Sequence, residues 1–437
     1  MKKLFVFADF DWLSSVELVG ELTMDSIRGT ESYGFKFNTD WLNNHSDIIL
    51  SDDINNYIGM QYTKQGKDIF GCFADSLPDH WGRTLLLRRE QIQAKEEKRP
   101  VRRLSSMDLL LGIDDTTRIG GFRYKEDLDG DFINAEQSLQ IPPITSLREL
   151  IEASHHIELS EESNVLPQKK WILQLLHPGT SLGGARPKAS VLNEQKQICI
   201  AKFPSRNDFY DISLWEHFAN VMAKRAGINC AETSVIKVGD KYHTLLSKRF
   251  DRDRDGRRVH FASAMTMLGL NDGDNASTGN GYIDIVDFII KGCCDVEKNL
   301  KELYRRVAFN IAIGNCDDHF RNHGFILTKK GWTLSPAYDL NPSLAKEQCL
   351  LINKYTAESS LDILLESCED YMLSPQVAKN IIDEVKSAMS KWQIVANSLA
   401  LPRSEQGMFN DRFAQSFRLI YVSQVGCRNK SKKQVMY

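Results

Sequence analysis

Residues Tyr33-Gly-Phe35-Lys-Phe37 alternate apolar and polar side chains, the two-residue period of a half-buried strand. Gly121-Phe-Arg-Tyr124 predicts a second short strand. Between them lie two helical patterns. Arg83-Thr-Leu-Leu-Leu-Arg-Arg89 suits a helix. Residues 105–113 predict another, with Ser105 or Ser106 as cap and Asp108 in the first turn, where a carboxylate meets the positive end of the helix dipole. Farther on, 146–157 and 168–176 read as helices, the second stopped by His177-Pro178-Gly179. Residues 189–192 and 197–203 are strand-like runs. Residues 211–226 form an amphipathic helix that Asp211 or Ser213 caps and Gly227 ends. Two more strands follow at 233–238 and 242–250. After Arg258 the pattern turns mostly helical. Leu300, Leu303, Tyr304, Val307, Ala308, Ile311 and Ala312 recur at three- and four-residue spacing, a clean helix face.

This order divides the chain into a mixed N-terminal region at 1–128, a Gly-loop, strand and helix region at 129–255, and a helical region at 256–437. The first boundary falls where 125–143 turns acidic and ends in Pro-Pro. Composition narrows the class. The 437 residues are 42% hydrophobic and 26% charged with net charge −3, which suits packed cores and excludes a disordered chain. That balance also removes the simple case for whole-chain nucleic-acid binding. Two stretches are locally basic: 83–103, with eight Lys/Arg against three Glu, and 428–433. Either a solvated helix face or a DNA-facing surface accounts for them. The nine cysteines form no Cys-x-x-Cys pair and read as reduced thiols without a zinc framework. Asp9 and Asp11 interrupt the N-terminal apolar run before it reaches signal-peptide length, and no window approaches the ~20 apolar residues that span a bilayer. The expectation is a soluble, cytoplasmic protein without a membrane partner.

Candidate chemistry concentrates in Gly314-Asn-Cys-Asp-Asp-His-Phe-Arg-Asn322, directly after the periodic helix. Asp317 and Asn322 are five positions apart. Phosphotransferases of the protein-kinase type use an Asp and an Asn at that interval, the Asp to accept the proton of the attacking hydroxyl and the Asn to bind Mg²⁺. The interval selects Asp317 over Asp318. His319 reads as a hydrogen-bonding brace of this loop, and Arg321 adds a positive charge. A second metal-binding carboxylate is required, because Mg²⁺ fills its octahedron mainly with phosphate and water. Asp339 in Leu334-Ser-Pro-Ala-Tyr-Asp-Leu340 fits, since a hairpin around Lys329-Lys-Gly331 returns it to the loop.

Thr180-Ser-Leu-Gly-Gly-Ala-Arg-Pro-Lys188 is not a Walker motif, but its paired glycines let backbone amides approach phosphate. Lys202 stands in the otherwise apolar strand Ile198-Cys-Ile-Ala-Lys-Phe203, which implies a solvated edge or an anionic partner such as ATP. Glu216 on the next helix is its candidate ion-pair partner.

The segments SLGGARPK, AKFP, LLSKRFDR, GNCDDHFRN and SPAYDL, in that order, resemble those of HipA-like serine/threonine kinases, the toxin components of bacterial toxin–antitoxin pairs. Phe73-Ala-Asp-Ser-Leu-Pro-Asp79, Trp81-Gly-Arg83 and the run from Gly112 to Arg123 extend the resemblance over nearly the whole chain. It implies an α+β fold: a small N-terminal mixed domain, then a two-lobed protein-kinase-like domain related to lipid kinases, with a mostly helical C-lobe. It implies ATP and Mg²⁺ as cofactors, Asp317 as base with His319 and Arg321 beside it, and Asn322 and Asp339 on the metal. The loop Ser181, Gly183, Gly184, Ala185 and Lys188, together with Lys202, contacts phosphates. The backbone at Lys248, Arg249 and Phe250 receives adenine. Ser181 is the autophosphorylation position. The sequence departs from the family pattern at Arg321, where Lys is common, and at Lys248, where an acidic residue is common. The implied partners are a small helix-turn-helix antitoxin (HipB-like), a protein substrate such as an aminoacyl-tRNA synthetase, and DNA through the antitoxin complex. The same residues also suit a small-molecule or lipid phosphotransferase, and a non-catalytic module bridging antitoxin and DNA remains a third reading.

Overall fold

In a computed structural model of the chain, residues 2–27, 30–64, 66–135, 141–179, 184, 186–239 and 241–415 are described. Strands β1 (Lys2–Ala8), β2 (Glu17–Ile27), β3 (Thr30–Phe37), β4 (Met60–Tyr62) and β5 (Phe122–Lys125) form an antiparallel sheet in the order β4-β3-β2-β1-β5. The alternation at Tyr33, Phe35 and Phe37 puts all three inside. The apolar run at the N-terminus, judged above only as a failed signal, is β1, with Leu4 and Val6 buried and Lys2 and Lys3 exposed. Ser105 caps the helix Ser106–Leu111 in a capping box with Asp108, as the residue types predicted.

A second sheet, ordered β6-β7-β9-β8, comprises β6 (Lys188–Leu192), β7 (Ile198–Lys202), β8 (Thr233–Ile236) and β9 (Thr244–Lys248). The helix Ile212–Arg225 connects β7 to β8 and is capped by Asp211, whose carboxylate accepts from the Leu214 amide at 3.1 Å. The helix Lys169–Gly179 runs through Pro178 instead of stopping before it. Near a helix end proline forfeits a single hydrogen bond, which packing offsets.

A third sheet lies inside the region read as helical: β10 (His260–Ser263), β11 (Gly324–Thr328) and β12 (Gly331–Leu334). The β11–β12 hairpin is the expected one. β10 was not legible, because four residues carry too little alternation and its pairing partner is some 60 residues away. The apolar stripe forms the helix Val296–Ile313, buried along its length from Leu300 to Ile313 on that face.

Two hydrophobic clusters hold these layers. The larger joins the first sheet to the third and to the C-terminal helices. The smaller lies on the second sheet and takes Trp81 and Leu85 from the helix His80–Glu96 of the N-terminal region, against Ile151, Ile172 and Leu175. The N-terminal region is therefore packed into both layers. Among the described residues, no helix is long and apolar enough to cross a membrane.

Candidate functional site

Lys202, at the end of β7, lines a cavity of about 260 Å³. Its Nζ lies 2.6 Å from Glu216 Oε1 and 2.5 Å from Asp339 Oδ1. Glu216 is on the helix Ile212–Arg225, so the expected pairing is present. Asp339 follows the hairpin and has a φ of +58°, a left-handed conformation that Asp tolerates better than most side chains. Asn341 Nδ2 donates to the same Asp339 oxygen at 2.9 Å. Burial disfavours every charge in this group, yet the Lys202 ammonium pulls the Asp339 carboxyl down to about 2. The two carboxylates in turn keep Lys202 charged despite burial.

The loop after the helix Val296–Ile313 separates its two aspartates. Asp318 is buried, and one of its oxygens accepts from Tyr282 Oη at 2.8 Å, Asn310 Nδ2 at 2.5 Å and His323 Nε2 at 2.8 Å. Asp317 is the solvent-facing member, and its backbone carbonyl accepts from Asn322 Nδ2 at 3.0 Å. Partial desolvation raises the Asp317 carboxyl pKa. His319 opposes that shift, and the negative charges of Asp339 and Asp318 add to it. The brace of this loop is His323, which sequence reasoning missed. The His319 ring does not fill that role: its Nδ1 is buried without a hydrogen-bond partner, and only its carbonyl braces the loop, accepting from the Asn322 amide at 2.8 Å. Arg321 lines the cavity and pairs with Asp272 at 3.2 Å.

The opposite wall comes from the end of β9. Lys248 and Arg249 donate their backbone N–H groups to Glu232 and Ile198 carbonyls at 2.8 and 3.0 Å. Among the described residues, the Phe250 amide is the one left without a partner on this stretch. The Arg249 guanidinium is held in a buried network with Asp251 and the Thr117 and Arg118 carbonyls. The Arg249 side chain thus ties this strand to the N-terminal region, and Arg249 also lines the cavity. Lys248 Nζ reaches Glu232 at 3.4 Å on the rim. Gly184 lines the cavity, while Ser181, Gly183 and Ala185 lie outside the described residues.

Asp75, Asp79 and His80 are among the cavity residues not singled out from sequence. They fall in the Phe73–Trp81 motif, which carried the resemblance but no chemistry that spacing reveals. The basic stretch at 83–103 is partly neutralised internally, with Arg99 and Arg102 both on buried Glu90. The stretch at 428–433 lies outside the described residues.

Among the described residues, no group of three His, Cys, Asp or Glu side chains is placed to hold a metal ion. Asp339 and Asn322 nonetheless line one cavity, and among the described residues the hydrogen bonds of their side chains fall on Asp339 Oδ1 and Asn322 Nδ2, leaving the other oxygen of each for a cation. That sparse donor set suits an ion that takes most of its ligands from water and phosphate.

The HipA N-terminal domain family matches residues 12–108 and the HipA-like C-terminal domain family matches residues 180–392. The serine/threonine-protein kinase toxin HipA of Shewanella oneidensis is 25% identical over 222 residues, 45% of this chain and 50% of that protein. A putative kinase of Haemophilus influenzae is 25% identical over 194 residues, 40% of this chain and 54% of that protein. The chain thus spans about half the length of the curated relatives it matches. Its fold resembles a chain in the complex of HipA, HipB and operator DNA from the Shewanella oneidensis MR-1 toxin–antitoxin system, with a TM-score of 0.62 and 16% identity over 94% of this chain and 95% of that one. With both characteristic domains present in order, on a mixed α/β fold of the same kind, the chain belongs to the HipA-like family.

Proposed function

We propose that the protein is an ATP- and Mg²⁺-dependent serine/threonine kinase, the toxin of a toxin–antitoxin pair acting in the cytoplasm. The observation that carries this reading is the Lys202 ammonium held between Glu216 and Asp339, in one cavity with Asn322 and Phe250. Phosphoryl transfer asks a protein for positioning and charge, which this arrangement supplies. The Phe250 amide donates to adenine. Lys202 and Lys188 offset phosphate charge. Asp339 and Asn322 hold Mg²⁺, which when bound neutralises the phosphate oxygens. Asp317 accepts the proton of the Ser or Thr hydroxyl as its oxygen bonds to the γ-phosphorus and ADP departs. The raised Asp317 pKa makes it a better proton acceptor than an ordinary carboxylate.

The family's serine autophosphorylation falls on Ser181, and the antitoxin partner is a small helix-turn-helix protein that carries the complex to DNA. The solved relative assembled with HipB and operator DNA supports the partner class.

The test is incubation with γ-labelled ATP and cell extract. Label in protein is expected for wild type. Asp317→Ala is expected to lose that transfer while still binding ATP. Undiminished transfer by this variant overturns the role of Asp317, and label appearing in a soluble metabolite overturns the protein-kinase reading. Asp339→Ala is expected to weaken ATP binding with Mg²⁺ far more than without it, measured by calorimetry.

A further inference from the structure

The β6–β7 register places Lys188 directly opposite Lys202. Like charges facing each other across a ladder are destabilising, and both side chains are largely buried, 2% and 13% exposed. Such an arrangement calls for anions. Lys202 has Glu216 and Asp339, both from the catalytic region. Lys188 has Asp79, 109 residues earlier in the chain, with Nζ 3.1 Å from Oδ2.

Asp79 is itself held firmly. It caps the helix His80–Glu96, its Oδ1 accepting from the Gly82 amide at 2.6 Å. The next aromatic residue, Trp81, donates from Nε1 to the Lys188 carbonyl at 3.1 Å. The N-terminal region therefore grips Lys188 at both its backbone and its ammonium. Asp79 also forms part of the cavity wall, and the Gly184 backbone closes on the same ammonium, since a Cβ there would stand 3.0 Å from Lys188 Nζ.

On the reading given above, we propose that Asp79 is a positioning residue of the nucleotide site: it holds the Lys188 ammonium beside Lys202, so that the N-terminal region completes a two-lysine pocket for the polyphosphate of a nucleotide. An ammonium in this setting has two ways to escape, by losing its proton or by swinging out. Burial and the neighbouring Lys202 favour loss of the proton, while Asp79 opposes it. The helix cap removes the second route by fixing where the carboxylate stands. The second sheet supplies both cations and the N-terminal region the carboxylate that holds one of them, and the ligand class follows from the pair: an extended anion with several charges.

The experiment uses the full chain as wild type, Asp79→Asn and Asp79→Ser. Asn and Ser both cap helices well, so each retains the helix start and removes only the charge. Binding of a non-transferable ATP analogue and of adenosine is titrated by calorimetry. The variants are expected to bind the analogue about ten- to hundredfold more weakly and adenosine as wild type does. In a Lys188→Met background, Asp79→Asn is expected to add no further loss. Equal loss for both ligands overturns the inference, because the pair is then only structural. Unchanged analogue affinity also overturns it, as does tighter binding, which would make Asp79 a competitor of phosphate. Those three outcomes leave the kinase reading standing. A wild type that binds neither ligand overturns that reading and this inference with it.

Discussion

His260 is a neutral imidazole wedged between aromatic rings. Its centroid lies 4.6 Å from Phe10 and 4.4 Å from Phe122, and it is 2% exposed. Nδ1 accepts from the Gly121 amide at 3.3 Å, and Nε2 is buried without a partner. Burial pushes its pKa down to about 3. The unfolded chain protonates at about 6.5. Because the folded value is the lower one, the stabilisation is complete above about pH 6.5 and is lost as pH falls towards 3. Between pH 7 and 5 this amounts to about 2 kcal/mol. Urea unfolding at the two pH values is expected to show a flatter dependence for His260→Gln than for wild type. Asp318 gives a second prediction at this scale. Asp318→Ala strands the Tyr282 hydroxyl, Asn310 and His323 without their shared acceptor, and is expected to destabilise by about 3 kcal/mol or more in the same assay. The five-residue interval favoured Asp317 as the base from sequence alone. That Asp318 is an internal strut became visible only through the three donors around it, two of them on other elements.

The helix Val296–Ile313 and the loop it launches were the most legible elements. Their signals are local, a 3.6-residue period followed by a terminating glycine. Gly314 has a φ of +74°, and a Cβ there would stand 2.9 Å from the Ser343 carbonyl oxygen. Gly314→Ala is therefore expected to destabilise by about 1–3 kcal/mol and to lower transfer activity by shifting Asp317, measured by thermal melts and the labelled-ATP assay. The Lys202–Glu216 pair was legible for a similar reason, since 14 residues separate its members. Other elements were hidden. β10 exists as a strand because β11 pairs with it, and the helix Lys169–Gly179 accommodates Pro178 in its last turn against the helix Leu147–Glu162 and the helix His80–Glu96.

At the scale of the whole molecule, buried charge joins the N-terminal region to the rest. Asp251 accepts from Arg249 at 2.7 Å, from Arg252 at 3.0 Å and from the Gly120 amide at 2.9 Å, while Asp115 takes Arg123 at 2.7 Å and Arg258 at 3.1 Å. Asp251→Ala leaves two arginines buried without their carboxylate and is expected to cost roughly 3–5 kcal/mol. Urea unfolding of wild type, followed by tryptophan fluorescence and by circular dichroism, is expected to give coincident transitions, because both hydrophobic clusters include N-terminal residues. Separate transitions would show that 1–128 folds as its own unit. The amino-acid order by itself determined the helix periods, their caps, the hairpin that returns Asp339, and the spacing of Asp317 and Asn322, because each depends on neighbours within about two helical turns or one hairpin. Tertiary structure alone decided that Asp79 faces Lys188, that the Arg249 guanidinium bonds to the Thr117 and Arg118 carbonyls, and that His323 rather than His319 braces the loop. Those outcomes depend on which polar groups lose water together, and for Asp79 and Arg249 the partners stand more than a hundred positions away, so they meet only once the layers have packed.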